Sequence, residues 1–187
     1  MLKRKTSVLV MTIGHSTRPI DEFILLLKTH GVDTVVDVRT IARSRHNPQF
    51  NKDLLPRTLE KAGVGYLHMA GLGGLRHTLP QSRNTGWKNA SFRGYADYMQ
   101  SEEFKKSLVE LISLAHHDHI ALMCAEAVPW RCHRSLIADA LLVHGIGTEH
   151  IMSLTRRQVH MLTPFAKVRG TEITYPKEGS VGGSEKS

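Results

Sequence analysis

The stretch Ile120-Ala-Leu-Met-Cys124-Ala-Glu126-Ala-Val-Pro129-Trp-Arg131-Cys132-His133-Arg134 passes from a short apolar run into a dense group of charged and reactive side chains. Leu136, Ile137, Ala140, Leu141 and His144 follow at the spacings of a helix face. The polar group therefore falls on a strand-to-helix turn, where parallel α/β sheets bind ligands. Both cysteines of the chain lie within it.

Working outward, Val8 to Ile13 reads as a buried strand, and Pro19 opens a helix with Phe23, Ile24, Leu26 and Leu27 on its apolar face. Gly31 ends that helix, and the β-branched run Val32 to Val38 gives a second strand at a spacing that suits a βαβ unit. An arginine-rich loop over 39–50, a short helix over 51–61 and a third strand at Tyr66 to Met69 come next. A glycine- and arginine-rich excursion over 70–94 has the length of a functional lid. One helix is expected over 95–116, a strand over 119–124, a helix over 133–144 and a last strand near 150–153. This alternation predicts a single α/β domain, a mainly parallel sheet flanked by helices in a Rossmann-like three-layer arrangement. Its bounds are 8–176, after a basic leader over 1–7 and before a flexible tail over 177–187. From Gly170 onward the small, polar composition predicts disorder.

A net charge of +8 and a pI near 9.7 favour an anionic partner: a small molecule, a nucleotide or a nucleic acid. No apolar run approaches the roughly 20 residues of a membrane span, and the first apolar stretch is too short for a signal-peptide core. Two cysteines are too few for a secreted disulfide scaffold, so reduced thiols in the cytoplasm are expected.

The start of the helix after Cys132 favours a thiolate or an anion, and His133 and Arg134 add to that effect. Cys124 sits at the carboxyl end of its strand, either as a second reactive thiol or as a small buried hydrophobe. Glu126 and His133 are candidate proton carriers, with an ion pair to Arg131 or Arg134 the structural alternative for Glu126. Two further strand ends bear on the same region. Gly14-His15-Ser16-Thr17 forms a glycine turn suited to phosphate, or Ser16 or Thr17 simply caps the following helix. Asp37 is placed to orient His15 or Arg39. The loop bearing Arg39, Arg43, Ser44, Arg45, His46 and Asn47 offers positive charge and donors to an anion.

A phosphatase or rhodanese loop needs a cysteine, five residues and an arginine; here Trp130 occupies that place and Arg131 follows one position late. Neither a CxxC pair nor an HExxH helix occurs, so no metal ligand is assigned, although His15, Cys124, Glu126, Cys132 and His133 are all capable of ligation.

Taken in order, Thr12-Ile-Gly14-His15-Ser16, Asp37-Val38-Arg39, Ser44 to Phe50, Gly71-Leu-Gly73-Gly74-Leu-Arg76, Cys124-Ala-Glu126 and Cys132-His133-Arg134 resemble the domain of unknown function 488 family over about residues 8 to 176. The resemblance implies a compact α/β domain with a pocket built from these motifs, and it brings no settled reaction or cofactor. Ala42 and Ala70 stand where proline is usual in that pattern.

The expected function is a cytoplasmic enzyme, a Cys/His-dependent transferase or hydrolase, acting on an anionic small molecule, nucleotide or nucleic-acid base. Cys124 or Cys132 would be the nucleophile, His15, His133 or Glu126 would move protons, and Arg39, Ser44, Arg45, Arg134 and Ser16 would hold the anion. A non-catalytic nucleic-acid or nucleotide binding module and a metal-dependent enzyme are the alternatives.

Overall fold

A computed structural model describes residues 8–177. The expected leader over 1–7, and the expected tail from 178 on, lie outside the described residues. Strands β1 (Leu9–Gly14), β2 (Thr34–Asp37), β3 (Gly65–His68), β4 (Ile120–Cys124) and β5 (Gly147–Ile151) run parallel, and β6 (Arg157–Val159) closes one edge antiparallel to β5. The order across the sheet is β3-β2-β4-β1-β5-β6. The sequence motif β1, α1 (Ile20–Thr29), β2 thus has β4 inserted between its two strands.

Alternation along the strands sorts the core into two layers. Val10, Val36, Leu122 and Cys124 face α3 (Ala90–Tyr98), α4 (Glu102–Ala115) and α5 (Arg134–Val143). Met11, Ile13, Val35 and Met123 face α1 and α2 (Leu55–Lys61). The chain is therefore the expected three-layer α/β domain. Among the described residues no helix is long and apolar enough to cross a membrane.

The connection after β1 leads to α1 on one face, and the connection after the adjacent β4 leads to α5 on the other. Where neighbouring loops part in this way, a crevice opens at the carboxyl ends of the strands. The two loops remain tied at their base, since the amides of His15 and Ser16 donate to the carbonyls of Cys124 and Ala125, both at 2.9 Å. Gly14 is required there: a Cβ on it would stand 2.0 Å from the Glu126 carbonyl oxygen.

Three expectations need correction. The helix expected over 95–116 is two helices, broken at Met99–Ser101; the Ser101 side chain accepts from the Phe104 amide and starts α4, followed by Glu102 and Glu103. The last parallel strand begins at Gly147, ahead of the stretch near 150–153, because Gly147 to His150 pair with Leu9 to Thr12. The segment from Gly170 is not disordered as far as Lys177: β7 (Lys167–Arg169) and β8 (Glu172–Thr174) form a hairpin that brings Ile173 and Tyr175 into the core, Tyr175 being wholly buried.

The burial of Tyr175 gives a direct check on this correction. Tyr175→Ala should cost about 3–5 kcal/mol of stability in urea unfolding, the usual range for removing a core aromatic. An unchanged midpoint would contradict the inclusion of this segment in the core.

Candidate functional site

At the carboxyl ends of β1, β2 and β4 a cleft of about 400 Å³ is lined by His15, Arg39, Ser44, Cys124, Glu126, Cys132 and His133, seven of the residues singled out in the sequence. Arg43 and Arg131 also line it, and Ile41, Leu75 and Phe92 add apolar surface. Arg45 and Ser16 do not line it. Ser16 caps nothing either: Pro19 is the N-cap residue of α1, and Ser16 adopts a left-handed backbone (φ 49°). Asp37 and Arg134 lie beneath the cleft, both fully buried.

Asp37 anchors the β2 side. Its carboxylate takes Arg39 in a two-pronged contact, Nε to Oδ1 at 2.9 Å and Nη2 to Oδ2 at 2.6 Å, and the Tyr66 hydroxyl donates to Oδ2 at 2.7 Å. Burial alone would lower the pKa of Arg39, but the Asp37 charge more than offsets it and keeps the guanidinium charged. Arg39 also donates to the Phe50 carbonyl at 2.7 Å and to Nε2 of His15 at 3.2 Å. His15 stacks on Phe50 at 4.2 Å and gives its Nδ1 proton to the Ser16 carbonyl at 2.8 Å. Burial lowers its pKa to about 4, so at neutral pH it is a neutral ring with both nitrogens engaged. In this arrangement His15 orients Arg39.

The α5 side carries the thiols. His133 donates from Nε2 to the Val38 carbonyl at 2.9 Å, which leaves Nδ1 facing the Cys132 sulfur at 3.8 Å. The wholly buried Arg134 donates from Nε to that sulfur at 3.4 Å, to the Thr12 hydroxyl at 3.0 Å and to the Glu126 carbonyl. None of these partners is a carboxylate. A buried guanidinium needs a counter-charge, and the Cys132 thiolate supplies it. The neighbouring Cys124 thiol and the charge of Arg134 hold Cys132 well below the ordinary thiol range, while Cys124, beside that sulfur and desolvated, is pushed well above it. The thiolate also sits just ahead of the N-terminus of α5, where the helix dipole favours negative charge.

The ligand atoms of Cys124, Cys132 and His133 fall within 4.8 Å of one another, a spacing that a soft cation would accept. Arg134 already balances the one thiolate, so a dication would stand beside a buried positive charge; the group reads as a thiol pair. Glu126 is exposed, and its carboxylate accepts the Val128 amide at 3.0 Å, so neither Arg131 nor Arg134 forms an ion pair with it.

A file of hydrogen bonds that the sequence did not suggest continues from Arg134. The Thr12 hydroxyl, already accepting from Arg134, donates to Nδ1 of His150 at 2.8 Å. His150 then donates from Nε2 to Nδ1 of His160 at 3.1 Å, and His160 donates to Asp139 at 2.8 Å. Tyr175 also donates to Asp139, at 2.8 Å. Thr12 and His150 stand opposite one another in the pairing of β1 with β5, but no local motif points to Asp139 as their terminus. The glycine-rich segment closes the cleft opposite: Thr40 donates to the Gly74 carbonyl at 2.6 Å, and a Cβ on Gly73 would stand 2.5 Å from the Thr40 hydroxyl. The loop at Ala42 holds its shape without proline, the Ala42 carbonyl accepting Lys52 N at 2.9 Å and the Asn51 side chain accepting the Ser44 amide at 2.6 Å.

The family model described as domain of unknown function DUF488 matches residues 19–141, well over half of the chain. The chain belongs to the DUF488 family. No curated protein and no solved structure matches it. The stretch matched to DUF488 contains Asp37, Arg39, both cysteines, His133 and Arg134, whereas the His15 turn precedes it.

Two buried histidines set an acid limit on the folded DUF488 domain. Burial lowers both His15 and His150 from 6.5 to about 4, so the unfolded chain takes up protons in this window before the native one does. Their contribution is complete above pH 6.5 and is lost as pH falls toward about 4. Urea unfolding should therefore show a loss on the order of a few kcal/mol across that window. A flat profile would contradict the neutral state assigned to these rings.

Proposed function

We propose that this DUF488 protein is a thiolate-dependent enzyme whose cleft takes an anionic small molecule or nucleotide. The observation that carries the reading is the pairing of the Cys132 sulfur with a buried Arg134 that has no carboxylate partner among the described residues. Such a sulfur is charged at neutral pH, and a thiolate is the nucleophilic form of cysteine. It attacks an electrophilic centre of the substrate, and the covalent adduct then passes to water or to a second acceptor, the chemistry of a hydrolase or a transferase.

The lining of the cleft supports the substrate class. Arg43 and Arg131 are exposed cations at its mouth, and Ser44 adds polar surface beside them. Ile41 and Leu75, 65% and 75% exposed, and the half-buried Phe92 offer apolar surface, so the substrate has an anionic group and an apolar or aromatic body such as a nucleobase. Leu75 holds φ at 57°, a conformation that costs a branched side chain roughly 1–2 kcal/mol and that is commonly retained where it positions a binding surface. Glu126 and His133 are the proton carriers within this reading, and a polymeric nucleic acid is a secondary candidate partner on the strength of the net charge. Both cysteines are free thiols, which suits a cytoplasmic location.

Alkylation kinetics test the reading. Cys132 should react with iodoacetamide at a rate that is flat through neutral pH, without the rise near pH ~8.5 of an ordinary thiol. Iodoacetate should gain at least about 3-fold over iodoacetamide relative to a free thiol, and Arg43→Ala with Arg131→Ala should remove that gain. A Cys132 rate that rises only near the ordinary thiol pKa would sink the proposal. In a second measurement, Leu75→Gly should leave stability unchanged or raise it by up to about 1 kcal/mol, because the backbone conformation costs glycine little. A loss of more than that would show that the leucine packs as a core residue.

A further inference from the structure

The two thiols differ in kind although they share one cleft. Their sulfurs lie within 4.8 Å, and both line the same cavity. Cys132 has the Arg134 guanidinium and His133 beside its sulfur, whereas Cys124, at the end of β4, has the thiolate of Cys132 and the amide of Glu126. One sulfur is built to attack. The other is a protonated thiol held next to it, in the position of a group that resolves an adduct on the first.

We propose that Cys132 and Cys124 are the attacking and resolving thiols of a hydroperoxide-reducing couple. The inference rests on the thiolate character of Cys132 argued above and goes beyond the transfer or hydrolysis proposed there. In the first step the Cys132 thiolate attacks the distal oxygen of a hydroperoxide; the O–O bond breaks, the sulfur takes up that hydroxyl as a sulfenic acid, and the alkoxide leaves as an alcohol after taking a proton from solvent water. In the second step the Cys124 sulfur attacks the sulfenic sulfur, a Cys124–Cys132 disulfide forms, and the Cys124 proton leaves with the hydroxyl as water. Two equivalents of a small thiol then restore both cysteines and are themselves oxidised to a disulfide.

The charge balance beneath the cleft selects this oxidant. Oxidation removes the negative charge that faces Arg134, leaving a buried guanidinium without its counter-charge. The reduced form is thereby favoured, which makes the couple oxidising and readily reduced by thiols. A small-molecule disulfide is a weak driver of such a couple, whereas cleavage of an O–O bond is strongly downhill. The apolar mouth at Ile41, Leu75 and Phe92, with Arg43 and Arg131 beside it, fits an organic hydroperoxide that carries an acidic group.

Reduced full-length protein is treated with a slight excess of cumene hydroperoxide, then mapped by intact mass and by non-reducing peptide analysis. The expected product is a Cys124–Cys132 disulfide that dithiothreitol reverses. Cys124→Ser should stop at a sulfenic acid on Cys132 that dimedone traps, and Cys132→Ser should consume no peroxide. The rate on the intact pair should exceed that of free cysteine by at least about 10-fold. If Cys132 alkylates as a thiolate while peroxide leaves both thiols free, the couple is overturned and the thiolate enzyme stands. If Cys132 shows neither behaviour, both fall. A disulfide formed as fast with oxidised glutathione as with the hydroperoxide overturns the choice of oxidant.

Discussion

A fully buried guanidinium with no carboxylate in contact among the described residues is the constraint around which this domain is arranged. Arg134 reaches the β1 strand through Thr12, the turn after β4 through the Glu126 carbonyl, and the head of α5 through the Cys132 sulfur. Desolvating such a cation is expensive, and removing any one partner leaves it less well compensated. The turn between β4 and α5 is thus held by charge as well as by its backbone. Negative charge on Cys132 answers the same need, so the proposed nucleophile and the structural tie are one interaction.

The sheet order explains why residues so far apart in sequence meet. β1 and β4 are neighbours whose following helices lie on opposite faces, so their loops separate and leave a crevice between them. His15 enters from the α1 and α2 side on the odd-numbered positions of β1, and Cys124 from the α3, α4 and α5 side. Asp37 stands at the end of β2, on the far side of β4, and fixes Arg39 across the floor. The cleft is therefore walled from both layers, one wall held by the ion pair of Asp37 with Arg39 and the other by the contact of Arg134 with Cys132.

Much of this was legible in the chain. Apolar periods marked β1, β2 and β4, and the motifs at their ends named most of the residues that now share one cleft, including His15, Arg39, Cys124, Cys132 and His133. What was not legible depends on long-range geometry. Arg134 and Arg45 look alike as basic residues next to motifs, yet one is buried by helix phase and the other is exposed in a loop. The break at Ser101 carried a local signal, a serine followed by two glutamates, which a continuous apolar face concealed. The hairpin of β7 and β8 had none: a few apolar residues among polar ones become core only because Ile173 meets α4 and α5 while Tyr175 packs on Trp87 and Phe165 and reaches Asp139 of α5. Asp139 as the end of a polar file likewise follows from packing.

That file has a direction that cannot be turned around by rotation alone. The Asp139 carboxylate only accepts, so the His160 proton sits on the nitrogen facing it, the other His160 nitrogen accepts from Nε2 of His150, and Nδ1 of His150 accepts from the Thr12 hydroxyl, whose oxygen takes the Arg134 proton. Reversing the hydroxyl would reverse both imidazoles and turn a lone pair toward a buried carboxylate, unless that carboxylate first took up a proton. The chain behaves as a polarity lock. Its two ends, a sulfur at the cleft and a phenol in the C-terminal segment, are bound to a single arrangement of protons.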